Sequence, residues 1–136
     1  MKSICVIDGQ GGGMGSAAIK KLKERFGEEV AIIALGTNAI ATATMIKAKA
    51  NRGATGENAI VQTVKKVDVI IGPMSVMMAH AMMGEVTPGI AEAVALSPAR
   101  KLLIPLAREN VEIIGVSGMP LPRLIDLLIE EHLKDF

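Results

Sequence analysis

Short unbroken apolar runs alternate along the chain with stretches in which apolar residues recur every three or four positions. Residues 4–7, Ile-Cys-Val-Ile, form such a run between polar residues and glycine. This predicts a strand buried on both faces, as in a parallel sheet. Over residues 16–26, Ile19, Leu22 and Phe26 keep helical spacing, with Lys20, Lys21, Lys23, Glu24 and Arg25 around the other side. An amphipathic helix closed by Gly27 follows. Residues 30–35, Val-Ala-Ile-Ile-Ala-Leu, predict a second buried strand, completing a βαβ unit.

Further along, residues 39–50 read as a helix capped by Asn38 or Thr37, 51–56 as a polar loop, and 57–66 as another helix. A third strand is expected over 67–71, stopped by Gly72 and Pro73. Helices over 75–83 and 87–96 are separated by Gly84, and short strands are expected at 102–104 and 111–116. Leu121, Leu124, Ile125, Leu128 and Leu133 mark a closing helix over 121–133, with Pro120 or Pro122 in its first turn. Strands alternating with helices imply a parallel sheet covered on both faces. Right-handed crossovers then predict an α/β, three-layer, doubly wound, mainly parallel sheet of about five strands, Rossmann-like. At 136 residues, the whole of 1–136 is expected to be one such domain.

Between the first strand and the first helix, residues 9–15 hold five glycines: Gly9, Gly11, Gly12, Gly13 and Gly15. Glycine loses more backbone freedom on folding than any other residue, so the concentration asks for a reason. A helix N-terminus offers exposed N–H groups and a dipole to an anion. Glycines there allow a tight turn and let the backbone approach a phosphate. The strict G-x-G-x-x-G spacing fails, because its last position falls on Met14 or Ser16. Gly9-x-x-x-Gly13-x-Gly15 fits the G-x-x-x-G-x-G spacing, and the loop resembles that of short-chain dehydrogenases, while Gly13-Met14-Gly15 resembles prephenate dehydrogenases. A Walker A loop would need Lys before the serine, where Gly15 precedes Ser16.

A doubly wound sheet places its crevice beyond the carboxyl ends of the strands. The candidate binding residues are therefore Asp8, Gly9, Gln10, Gly11, Gly12, Gly13, Met14, Gly15 and Ser16, together with Gly36, Thr37, Asn38, Gly72, Pro73 and Ser75. The expected ligand is small and phosphate-bearing: NAD, NADP or another nucleotide. The second strand ends in Leu35-Gly36-Thr37-Asn38, without the acid that often holds a ribose there. Thr37 and Asn38 either hydrogen-bond a ribose hydroxyl or 2′-phosphate, or cap the following helix. Asp8 either belongs to the site or bonds the N–H groups of the glycine turn. Arg108, in the segment after 102–104, is a candidate second anion contact, against an ordinary solvated arginine. Residues 51–58, with Glu57 and Asn58, read either as a flap over the ligand or as a surface loop.

Net charge is +1 with no basic run, and Trp and Tyr are absent, so neither a nucleic-acid footprint nor stacking platforms are present. The lack of Tyr also removes the usual proton donor of short-chain dehydrogenases. His80 and His132 lack metal-ligand spacing with one another or with Cys5, so no metal site is expected. Cys5 alone permits no internal disulfide and fits a reducing compartment. No apolar run is long enough to span a membrane, and no signal peptide is seen. A soluble, cytoplasmic protein is the expectation. Residues 74–83 are apolar almost all round, which predicts a buried helix or, preferred here, a homo-oligomer interface with His80 in or beside it.

The succession Asp8-Gly9-Gln10-Gly11-Gly12-Gly13, Ala34-Leu35-Gly36-Thr37-Asn38-Ala39, Gly53-Ala54-Thr55-Gly56-Glu57-Asn58, Val67-Asp68-Val69-Ile70-Ile71-Gly72-Pro73 and Leu103-Ile104-Pro105-Leu106 resembles one family of small bacterial, Rossmann-like proteins. That family is known only as a domain of unknown function. The resemblance covers nearly the whole chain and implies a stand-alone protein of this length from an anaerobic bacterium; it brings no activity and no catalytic residues. Two functional readings remain. One is nucleotide binding through the glycine loop, as enzyme or sensor. The other is an oligomeric structural or regulatory protein whose glycine turn serves packing only.

Overall fold

The computed structural model describes residues 1–106, 110–116 and 118–136. Five parallel strands lie in the order β3-β2-β1-β4-β5: β1 Lys2–Asp8, β2 Val30–Gly36, β3 Arg52–Thr55, β4 Val69–Pro73 and β5 Arg100–Ile104. Helices α1 Gly13–Phe26, α2 Ala39–Lys47, α3 Glu57–Thr63, α4 Pro88–Leu96 and α5 Leu121–Leu127 connect and cover them. This is the doubly wound Rossmann arrangement expected from the alternation of strands and helices.

The apolar runs are continuous because each central strand buries both faces. Ile4 and Val6 point into one core with α1, α2 and α5, through Ile19, Leu22, Met45 and Ile125. Cys5 and Ile7 point into the other, with Ile60 of α3, Ile90 and Val94 of α4, and Val76 and Val86 between β4 and α4. Phe26 and Phe136 meet edge to face at 6.0 Å and fasten the end of the chain to the end of α1.

Several expectations need correction. Residues 51–56 are not a loop, and 51–58 are not a flap. Arg52–Thr55 pair with β2 from Ile33↔Arg52 to Gly36↔Thr55, and α3 begins at Glu57. Asn51 prepares the pairing: its side chain accepts the Ile32 N–H at 2.8 Å, and its own N–H donates to the Ile32 carbonyl at 2.8 Å. Being a short edge strand, β3 has no apolar run to announce it.

The helix expected over 75–83 is replaced by a 3₁₀ turn, Met74–Met77, and a knotted run of turns. His80, Met82 and Met83 have φ of 72°, 57° and 58°, and Gly84 follows at 90°. Five backbone bonds hold the run: Ala81 N–H to Met78, Gly84 N–H to His80, Glu85 N–H to Met82, Val86 N–H to Ala81 and His80 N–H to Val86. It lets Val76, Ala81, Met82 and Val86 all reach the core, a spacing no single helix face provides. Residues 111–116 form no strand: Gly115 at φ 90° breaks the extended run, and Ile113, Ile114 and Val116 stay exposed. The expected strand at 67–71 is β4, fourth rather than third in chain order, and α5 passes into a π turn, Leu128–His132. No helix among the described residues is long and apolar enough to cross a membrane.

Candidate functional site

In register, Asp8 lies beside Gly36 on one side of β1, and β4 lies on the other. The chain leaves β1 toward α1 on one face and leaves β4 toward the opposite face, so a crevice opens between them. A cavity of about 220 Å³ occupies that switch point. Its walls are the loop from Asp8 to Met14, Pro73 and Ser75 after β4, Met82 and Leu106.

The loop is built by one carboxylate. Asp8 is 5 % exposed; its Oδ1 accepts the Gly9 N–H and its Oδ2 accepts the Gly15 N–H, each at 2.8 Å. The Gly12 N–H closes a turn onto the Gly9 carbonyl at 2.9 Å, and the Ser16 N–H reaches Gly12 at 2.9 Å. Gly12 caps α1 at φ 75° and supplies no side-chain cap. Among the described residues, the N–H groups of Gly11, Gly13 and Met14 meet no acceptor. Those of Gly13 and Met14 belong to the helix end that carries unsatisfied donors and positive dipole, and Gly11 lies just before its cap.

The five glycines divide by what a side chain would strike. At Gly12 a Cβ would stand 2.8 Å from the Ala41 carbonyl oxygen; at Gly15 it would stand 2.5 Å from Met45 Sδ. At Gly9 it would lie 2.5 Å from both Met82 Sδ and Thr37 Oγ1. These three glycines are buried and required by the protein's own packing. At Gly11 and Gly13, both exposed, a Cβ would meet nothing within 4 Å, and neither has positive φ.

Other expected site residues lie elsewhere. Gly36 and Gly72 are packing glycines: a Cβ would run into Thr42 Oγ1 at the first and meet the Ile7 carbonyl at 2.7 Å at the second. Gly15 and Ser16 sit within α1, and Thr37 and Asn38 stand outside the cavity wall. Asn38 is the cap of α2, its Oδ1 accepting the Ala41 N–H at 2.8 Å. Glu57 is tied to the Thr87 hydroxyl at the start of α4, away from the crevice. His80 and His132 are exposed and line no part of it. Arg108 lies outside the described residues. Among the described residues, no three His, Cys, Asp or Glu side chains gather as metal ligands do.

Glu85 gave no sequence signal. Its Oε1 accepts the Gln10 N–H at 2.8 Å, the Thr37 hydroxyl at 2.6 Å and the Asn38 amide at 2.8 Å. A carboxylate thus does stand at the end of β2, delivered from a turn 48 residues beyond Thr37. Burial pushes its pKa up, but the bonds from Gln10, Thr37 and Asn38 outweigh this and hold it below the usual carboxylate range.

A family model described as "Domain of unknown function (DUF3842)" matches residues 3–136. No functionally curated protein matches the chain. Among solved structures, the chain is similar to a dodecameric FMN-dependent UbiX-like decarboxylase from Escherichia coli O157:H7. The two are 17% identical, with a TM-score of 0.46, over 96% of this chain and 75% of that one.

Proposed function

The chain belongs to the DUF3842 family, and we propose that it binds a small phosphate-bearing ligand of the nucleotide class at the β1–β4 switch point. The phosphate sits against the N–H groups of Gly11, Gly13 and Met14, at the start of α1. One observation carries this reading: Gly11 and Gly13 lack side chains although neither packing nor backbone conformation demands it. A side chain there would stand where a ligand approaches the amides.

Magnitudes narrow the ligand. A charge at a helix N-terminus contributes about 0.3–1 kcal/mol, up to ~2 when partly buried, whereas micromolar affinity needs about 8 kcal/mol. Pro73, Ser75, Met82 and Leu106 must supply the rest, with the Ser75 hydroxyl as a further donor. A cavity of about 220 Å³ is below the roughly 300–1,000 Å³ of most ligand pockets. It encloses a phosphate and the group attached to it. Toward β2, Glu85 takes up the Thr37 and Asn38 donors on which this reading would otherwise rest the far half of a dinucleotide. A mononucleotide-sized ligand therefore fits the closed crevice better than a dinucleotide.

Thermal shift of the full chain against nicotinamide dinucleotides, ATP, GTP, coenzyme A, flavins and sugar nucleotides tests the reading. A ligand at 100 times its Kd adds about 2.7 kcal/mol, a rise of several degrees. Gly13→Val, its fold verified by circular dichroism, abolishes that rise. A panel without any shift overturns the proposal.

A second reading concerns assembly. Met83 is 93% exposed and Met77 38%, so the outward side of residues 74–83 is the part free to meet another copy. Light scattering on the eluting protein tests homo-oligomerisation, and Met83→Lys lowers the mass if this surface is the contact.

A further inference from the structure

Three donors from two different loops converge on one oxygen of Glu85: the Gln10 N–H, the Thr37 hydroxyl and the Asn38 amide. Asn38 also donates to the Gln10 carbonyl at 3.0 Å, which holds the two loops in register. Such a cradle, made of neutral donors around one anionic oxygen, is how proteins hold carboxylate and phosphate groups. Here its occupant belongs to the chain itself.

The segment that brings Glu85 is attached unevenly. Ala81, Met82 and Val86 are buried, whereas Met83 beside them is 93% exposed. Its outer turn runs through left-handed His80, Met82, Met83 and Gly84, a conformation that side chains other than glycine adopt at a cost. Buried Met82 anchors that turn at the cavity wall, and the Glu85 carboxylate ties it to Gln10, Thr37 and Asn38.

We propose that Gln10, Thr37 and Asn38 form a second anion subsite, which Glu85 fills as an internal competitor, and that the outer residues 83–85 are a latch displaced by a ligand's second phosphoryl group. The inference rests on the phosphate reading of the glycine loop. The Gln10 N–H serves this subsite and the Gly11 N–H, one residue on, serves the first. Consecutive amides on one turn suit the neighbouring phosphoryl groups of a diphosphate. The closed latch admits a monophosphate, and the open one admits a diphosphate across both subsites.

Calorimetric titration of the full chain with inorganic phosphate and with pyrophosphate, beside amide hydrogen exchange, tests this. Glu85→Ala tightens pyrophosphate binding by about tenfold or more, as expected for freed donors meeting a charge, and leaves phosphate binding little changed. Exchange accelerates at Gln10 and over 83–85 alone. Glu85→Gln, which keeps the shape and one acceptor oxygen, gives a smaller change of the same sign. Unchanged exchange in both variants, or acceleration throughout the molecule, overturns the latch. Local opening without tighter pyrophosphate binding overturns the subsite. If phosphate still binds in a Gly13-dependent way, the glycine-loop reading survives that failure; if neither anion binds any form, both fall.

Discussion

The Asp8 carboxylate accepts the Gly15 N–H at 2.8 Å while its other oxygen accepts the Gly9 N–H. One side chain thereby joins the end of β1 to both ends of the glycine loop. Asp8→Asn keeps one acceptor but sets an amide donor against a backbone donor, at a cost of about 1–3 kcal/mol. Urea unfolding followed by circular dichroism shows a lower midpoint with an unchanged slope. An unaltered midpoint means the carboxylate does not organise the loop.

Adjacent glycines give opposite outcomes. Gly12→Ala forces a side chain into left-handed backbone and toward the Ala41 carbonyl, destabilising the protein by roughly 2–4 kcal/mol. Gly13→Ala meets open space in a helical position, so it leaves stability unchanged or raises it by up to about 1 kcal/mol. On the proposed reading, the same substitution weakens binding of the ligand picked out by the thermal-shift panel. Equal destabilisation by both would return the loop to a purely structural role.

Cys5 is fully buried, and burial pushes its thiol up to about 12 against a smaller opposing backbone hydrogen bond. The native protein therefore reacts with a disulfide reagent near pH 8 more slowly than an exposed thiol, by about a thousandfold or more. One equivalent reacts at once in guanidinium. Rapid labelling of the native state would contradict this core placement.

Acid acts on Glu85 with a definite sign. Its folded pKa is depressed, so its stabilisation is complete above the ordinary value near 4.3 and disappears as pH falls through the lower folded value. The Tm difference between the protein and Glu85→Gln stays constant from neutrality to that ordinary range and closes below it. Glu28, lowered by its bonds from Asn51 and Lys23 and by the Lys23 charge, is common to both proteins and cancels. A difference already lost at pH 6 would show that the carboxylate is not held by its donors.

How much of this was legible differs by element. The runs at 4–7 and 30–35 declare β1 and β2 because both faces are covered, and α1 declares itself because only one face is. The edge strand β3 escapes notice: its four residues are polar or small, and Gly53 is there so that Ile46 of α2 can lie close. Residues 111–116 mislead in the other direction, apolar in pattern yet turned by Gly115 and left exposed. The glycine loop was visible as a cluster. That Gly9, Gly12 and Gly15 serve neighbours while Gly11 and Gly13 do not depends on Met82, Ala41 and Met45, all distant in the chain.

Local pattern was enough to set the βαβ start, the parallel sheet and the crevice at the end of β1, because burial on one face or two prints its period directly on the residues. The partners across that crevice were decided only by folding. Glu85 is an ordinary acid between turns until β4 and the left-handed run after it carry its carboxylate to Gln10 and Thr37. No local period encodes a meeting of three loops, since each contributes only a donor or an acceptor and none contributes an apolar face.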